Sequence, residues 1–516
     1  MDIQIDTSKQ RSKISPYIYG ANQDIEGVNH TARRLGGNRL TGYNWENNYS
    51  NAGSDWYHSN DGYLPWSMGI PESEWSTPAI VVSKFHDESL KKGAYTAITL
   101  QMAGYVSRDK NGSVNENETA PSSRWVEVKF KKDGALSLNP DKNDNYVYMD
   151  EFINYLINKY GKSTGATGIK GYILDNEPEL WAYTHPRIHP VKLTCKELIN
   201  KSVELAKVIK TLDANAEVFG YASYGFMGYY SLQDAPDWNE VKGNHRWFIS
   251  WYLEQMKKAS DAYGKRLLDV LDLHWYPEAQ GGGKRICFDG ENADEKEVAI
   301  ARMQAPRTLW DPTYKTTVNG QITAGEDSWI NQWFSSFLPI LPNIKADIDK
   351  YYPGTKLAIT EFDYGGKDHI SGGIALADVL GIFGKYGVYL ATRWGESGKY
   401  AAAAYNIYLN YDGNGSRYGD TNIYAETSRV EDMPVYASIK GESEEEVHII
   451  LINRNYDNTI PARINVKGSK SYKSAEIYGF DSSSANIRKV GTVSGISNNT
   501  VIIEVPKLTV YHIVLR

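Results

Sequence analysis

Cysteine is nearly absent: Cys195 and Cys287 are the only two. That excludes a disulfide-built scaffold and leaves open whether the pair is bridged or free. No uninterrupted apolar run approaches the roughly 20 residues that a membrane-spanning helix needs. Positive charge is not in excess either. Against 63 Asp and Glu stand 56 Lys and Arg, a formal charge of −7, and the basic residues are scattered, which makes nucleic acid and anionic membranes poor partners. A neutral substrate fits this balance better. Met1-Asp2-Ile3-Gln4-Ile5 starts in strand-like alternation rather than in a signal peptide. The expectation is a secreted protein whose leader lies outside this sequence, with a cytoplasmic one as the alternative. No internal repeat stands out.

Aromatics are plentiful, with 14 Trp and 38 Tyr. Most such rings build core, but flat faces also stack on the apolar faces of sugars, so the excess tilts the reading toward carbohydrate. The stretch Gly171-Tyr172-Ile173-Leu174-Asp175-Asn176-Glu177-Pro178-Glu179 organises the rest. A short apolar run ends abruptly in Asn-Glu-Pro, as a buried strand does when it delivers polar groups to a mouth. Lys356-Leu357-Ala358-Ile359-Thr360-Glu361-Phe362-Asp363 repeats the design and closes on Glu361. Two carboxylates at the ends of two parallel strands are what glycoside hydrolysis requires, one to protonate the leaving oxygen and one to attack or stabilise the sugar cation.

Between these anchors strand and helix patterns alternate about eight times. Strands are expected at Tyr17 to Asn22, Ala32 to Leu35, Ala94 to Gln101, Gly171 to Leu174, Glu217 to Ser223, Leu268 to Pro277, Lys356 to Phe362 and Val388 to Trp394. Helices follow at Val81 to Lys92, Met149 to Tyr160, Leu193 to Leu212, Trp247 to Tyr263, Ile344 to Tyr352 and Ile374 to Tyr386. The pattern argues for an α/β fold, a (β/α)8 TIM-like barrel over residues 19–430. From Pro434 onward helices disappear, and short strands separated by Asn, Ser and Gly predict a smaller all-β sandwich built from residues 1–18 and 431–516. The insertion Tyr43 to Ser76, carrying Trp45, Trp56, Trp66 and Trp75 among polar residues, reads as one wall of a sugar-binding cleft. Gln280 to Gly325 reads as a second, glycine-rich and charged insertion. His274 and Tyr276 close strand six, the first placed to bond substrate and the second the nucleophile. Arg33 or Arg34 is placed to reach Glu361, where a guanidinium keeps a carboxylate ionised.

Four pieces taken together, Arg33-Arg34-Leu35-Gly36-Gly37-Asn38-Arg39, Tyr43-Asn44-Trp45-Glu46-Asn47, Asn176-Glu177-Pro178 and Thr360-Glu361-Phe362, carry a resemblance to glycoside hydrolase family 44 over nearly the whole chain. The resemblance implies a retaining endo-β-1,4-glucanase acting on cellulose-type glucans and xyloglucan as a monomer. Glu177 would be its acid/base and Glu361 its nucleophile. Asn176, Asn44, Trp45, Trp56, Trp66, His274, Tyr276, Trp394 and Arg33 would contact substrate, with Trp394 flooring the sugar site. The chemistry would need no cofactor. A structural calcium would sit at Glu46 and Asp144, although the run Asp141-Lys142-Asn143-Asp144-Asn145 also reads as an Asx-rich turn. A xylanase or mannanase of the same barrel clan, or a catalytically dead carbohydrate-binding barrel, are the alternatives.

Overall fold

A computed structural model describes residues 1–288, 294–318 and 321–516, and the side chains of 317–324 are left out of account. Parts of the Gln280 to Gly325 insertion therefore lie outside the described residues. Eight strands close into a barrel: β1 (Tyr17–Ala21), β2 (Ala32–Leu35), β3 (Tyr95–Leu100), β4 (Gly171–Leu174), β5 (Glu217–Ser223), β6 (Val270–Trp275), β7 (Lys356–Phe362) and β8 (Leu390–Arg393). The recorded neighbours are parallel, as Arg33 opposite Thr96 and Tyr172 opposite Ile98 show. Parallel strands of this kind are covered on both faces, which is why β2, β3, β4 and β6 are buried along their whole length and lack an alternating pattern.

Helices α1 (Ile80–Lys92), α2 (Met149–Tyr160), α3 (Cys195–Leu212), α4 (Phe248–Tyr263), α5 (Ile340–Tyr351), α6 (Ile370–Lys385) and α7 (Lys399–Leu409) follow β2 to β8 in turn. The helices expected from apolar spacing fall within a few residues of α1 to α6, whereas α7 is not among them. Thr194 caps α3 by accepting the Glu197 backbone N–H.

The second domain is all-β, as expected. A ten-stranded sheet runs Ser484–Ser494, Ser474–Asp481, Thr509–Leu515, Ser443–Asn453, Val435–Lys440, Thr421–Thr427, Asp2–Asp6, Ile460–Lys467 and Thr500–Val505, with Ser12–Lys13 also paired to Thr421–Thr427. Its inward residues, among them Ile3, Ile5, Ala437, Ile449, Ile464, Val501 and Ile513, share one core. The chain also partitions by contacts into two compact units. One comprises Met1–His30, Tyr276–Asn343 and Phe362–Arg516, and the other Thr31–Trp275 and Ile344–Glu361. Cys195 and Cys287 are both buried free thiols. Among the described residues no helix is long and apolar enough to cross a membrane.

Candidate active site

Glu177 follows the last residues of β4 in a left-handed backbone conformation, φ 44° and ψ 55°. A residue with a Cβ reaches that region at a cost of about 1–3 kcal/mol, and it stays there only if its surroundings insist. Here they do. The Glu177 N–H donates to the Ala222 carbonyl at the end of β5 (3.0 Å), and the Glu177 carbonyl accepts from Leu180 N (2.9 Å). Two residues on, Glu179 is buried, accepting from Ser223 Oγ (2.5 Å) and Tyr224 N (3.0 Å). Asp175, just before, is buried and accepts from Thr41 Oγ1 (2.6 Å) and Ala103 N (3.1 Å). The polar triplet read from sequence as a working end is therefore anchored on both flanks.

Glu361, at the end of β7, faces it. Arg34 Nη1 donates to Glu361 Oε1 at 2.6 Å, and Arg34 Nη2 donates to Asn176 Oδ1 at 2.6 Å. His274 lies between the glutamates, its Nδ1 2.9 Å from Glu177 Oε1 and 3.5 Å from Glu361 Oε2. One ligating atom from each of Glu177, His274 and Glu361 falls within 4.8 Å of the other two. Burial drives the His274 imidazole down to about 3, so the ring is neutral, and its buried Nε2 has no hydrogen-bond partner among the described residues. Burial also raises Glu177, to about 7, although the Arg34 charge opposes the rise. A proton donor tuned near neutrality thus stands beside a carboxylate held in an ion pair. Beneath them Asp272 is fully buried, raised to about 7 first by burial, and accepts from Thr360 Oγ1 at 2.6 Å.

Some expected contacts fall elsewhere. Arg33 is a correction: its guanidinium points away from the site, donating to Phe85 O and Ser89 Oγ on α1 (both 3.0 Å) and stacking on the Phe85 ring. Neighbours in a strand face opposite ways, and Arg34 has the inward position. Trp45 is a second correction. It is wholly buried and stacks on Phe152 of α2 with ring centroids 5.2 Å apart, which leaves no face for a sugar. Asn44 is a third, since its amide is used internally, donating to Ser107 O (3.0 Å) and accepting from Glu46 N (3.0 Å). Trp56 and Trp66 are 60% and 66% exposed. Tyr276 and Trp394 are half-buried just past β6 and β8, Trp394 N donating to Phe362 O (3.1 Å) and Tyr276 lying 5.8 Å from Phe288 between ring centroids. Asp144 is half-buried in the Asx-rich turn, accepting from Tyr146 N, while Glu46 is buried. Sequence reasoning gave no role to Asp175, Asp272 or Thr360. A carboxylate inside an apolar strand, as at Asp272, was the available signal.

An eight-stranded α/β barrel with two glutamates at its strand ends, one ion-paired and one poised near neutral pH, is the architecture of the paired-carboxylate glycosidases. The family model for glycoside hydrolase family 44 matches residues 49–279. Endoglucanase A of Paenibacillus lautus is 54% identical over 99% of this chain and 72% of its own. The family 44 endoglucanase structure from Clostridium thermocellum superposes with a TM-score of 0.96 at 59% identity, covering 100% of this chain and 99% of that one. The chain belongs to glycoside hydrolase family 44. The β-mannanase/endoglucanase A of Caldicellulosiruptor saccharolyticus is 75% identical over 98% of this chain, which spans only 38% of that protein's length.

Proposed function

We propose that this chain is a retaining endo-β-1,4-glucanase that hydrolyses internal bonds of cellulose-type glucans and xyloglucan. The observation that carries the reading is the closeness of Glu177 and Glu361, one carboxylate oxygen of each lying within 4.8 Å of the other. Retaining enzymes hold their carboxyl groups about 5–5.5 Å apart, whereas inverting ones leave about 6.5–9.5 Å for a water. Glu361 attacks the anomeric carbon as the glycosidic oxygen takes the Glu177 proton. Water then gives its proton to Glu177 and displaces Glu361 from the sugar. Asn176, its carbonyl held by Arg34, offers an amide N–H to the hydroxyl beside the reacting carbon. His274 keeps the two carboxyls apart without adding charge.

Azide tests the roles. With an activated aryl glycoside, Glu177→Ala should still form the glycosyl-enzyme and azide should release a β-glycosyl azide, while Glu361→Gly should give the α-azide. An α-azide from the Glu177 variant would exchange the assignments. Activity on soluble glucan, xyloglucan, xylan and mannan separates the glucanase reading from xylanase or mannanase. The Caldicellulosiruptor protein's name includes β-mannanase, but the match covers a minority of its length. Protein that binds glucan and releases no reducing ends would be a dead barrel. A polymeric substrate cannot enter a cell, so the working place we propose is outside it, as a monomer.

We also propose a structural calcium held by Glu46 and Asp144. The fit rests on charge: burial first, and then the Asp144 and Glu151 carboxylates, push Glu46 to about 8, and the buried Glu151 Oε2 has no hydrogen-bond partner among the described residues. Lys142 and Lys132 offset this only in part. A dication there would stabilise the fold and take no part in the reaction. A chelator should lower Tm, and Glu46→Gln should abolish that response.

A further inference from the structure

The short turn Gly53–Trp56 in the first insertion is seated closer to the catalytic strand than its exposure suggests. Gly53 has φ +58°, and a Cβ there would lie 2.3 Å from the Thr184 carbonyl and 3.0 Å from His185 Nε2, in the segment that follows Glu177. No other residue fits against that backbone. His58 N returns to Gly53 O (2.8 Å), and Asn51 Nδ2 donates to His58 O (2.9 Å), so the turn is closed on itself. Its tip presents Trp56 and Tyr57, both exposed and packed edge to face.

From this turn a line of hydrogen bonds runs into the site. Asn38 Nδ2 lies 3.1 Å from both oxygens of Asp55. Asn38 Oδ1 accepts from Asn176 Nδ2 at 3.3 Å, and Asn176 Oδ1 accepts from Arg34, which holds Glu361. The Asn176 amide is thereby fixed at both ends, with one N–H left for substrate. Nothing in the catalytic chemistry needs Asp55, and among the described residues its carboxylate forms no ion pair.

We infer that Asn38 and Asp55 are positioning residues: Asn38 orients Asn176, and Asp55 fixes Asn38. The inference rests on the proposed roles of Asn176 and Glu177. His274, neutral, and Glu361 lie next to Glu177, and the charges of Arg34, Asp55 and Glu179 act in its surroundings; beside the turn lie His58 and His185, both held down by burial, with Arg187 acting on His58. Arg34 favours the Glu177 anion, and Asp55 opposes it. The turn that carries the exposed aromatic tip therefore also helps keep the acid protonated.

The test is the pH dependence of kcat/KM on soluble glucan. Asp55→Asn keeps shape and removes charge, and it should shift the alkaline limb down by roughly half a pH unit. Asp55→Glu should keep the limb in place. Asn38→Ala should lower kcat by about tenfold with KM nearly unchanged, because the amide it frees acts in the transition state. Tm for each variant shows that it folds. An unmoved limb in Asp55→Asn, or full kcat in Asn38→Ala, overturns the relay. Full glucan turnover by Glu177→Gln would instead bring down the catalytic reading beneath it.

Discussion

Arg33 and Arg34 stand side by side in one strand and serve opposite faces of it. Arg34→Met removes the charge between Glu361 and Asn176, and kcat/KM should fall by about 100-fold or more, the scale of losing one electrostatic group in a closed site. Arg33→Met should leave kcat/KM near wild type and lower Tm, since its partners are Phe85, Ser89 and Glu88 on α1. Sequence offered Arg33 or Arg34 as the partner of the carboxylate and did not choose between them. Which one depends on register against β3, set by residues some sixty positions away, and two adjacent arginines look alike locally. Glu177 was legible because an apolar run stopped on it; its proton was not, because the value follows from burial that only the folded barrel creates. Raised to about 7, Glu177 in the role we propose is the protonated acid below that pH and loses its proton above it. The alkaline limb of kcat/KM on glucan should therefore centre near pH 7, and it should disappear for the glycosylation step of an aryl glycoside whose leaving group needs no proton.

Among elements, the first insertion divides into a packed root and an exposed tip. Trp45 at the root lies against Phe152 and Tyr155 of α2. Trp45→Ala should destabilise by about 3–5 kcal/mol, read as a fall in the denaturation midpoint. Trp56→Ala should leave the midpoint alone and raise KM. Local composition could not separate these tryptophans, because both sit among Asn, Ser and Gly. The helix that covers Trp45 begins about a hundred residues later in the sequence. A comparable tie lies elsewhere: Asp378 of α6 accepts from Arg454 Nη1 (2.8 Å) and Tyr436 Oη (2.5 Å), all buried. Arg454→Met would strand the Asp378 carboxyl and should cost about 3–5 kcal/mol in chemical denaturation.

For the molecule as a whole, buried titratable groups pull stability in two directions with pH. His448 Nδ1 lies 3.0 Å from His512 Nε2, and burial holds His448 down to about 4 and His512 well below its ordinary value. Below about pH 6.5 the unfolded chain takes up protons that these folded rings refuse, so stability is complete above 6.5 and falls as pH drops toward 4. A buried carboxyl acts in reverse. Glu179 is raised to about 8, first by burial, so its contribution is present below the ordinary 4.5 and lost as pH rises to about 8. His448→Asn should flatten the acid side of a Tm against pH curve, and Glu179→Gln the alkaline side; if each variant leaves its own side unchanged, these groups do not set the profile.

Synthesis order meets one detail of the sheet awkwardly. Asp2–Asp6 lies between Thr421–Thr427 and Ile460–Lys467, with Ile3 opposite Thr427 on one side and Ile464 on the other. At about 5–20 residues per second, a ribosome needs on the order of half a minute to reach those partners. Until then a strand with two bare isoleucines waits, while the segments bearing Glu177 and Glu361 are already emerging. A nascent chain stalled before residue 420 would carry both glutamates and an unclaimed sticky edge, a natural target for a holdase.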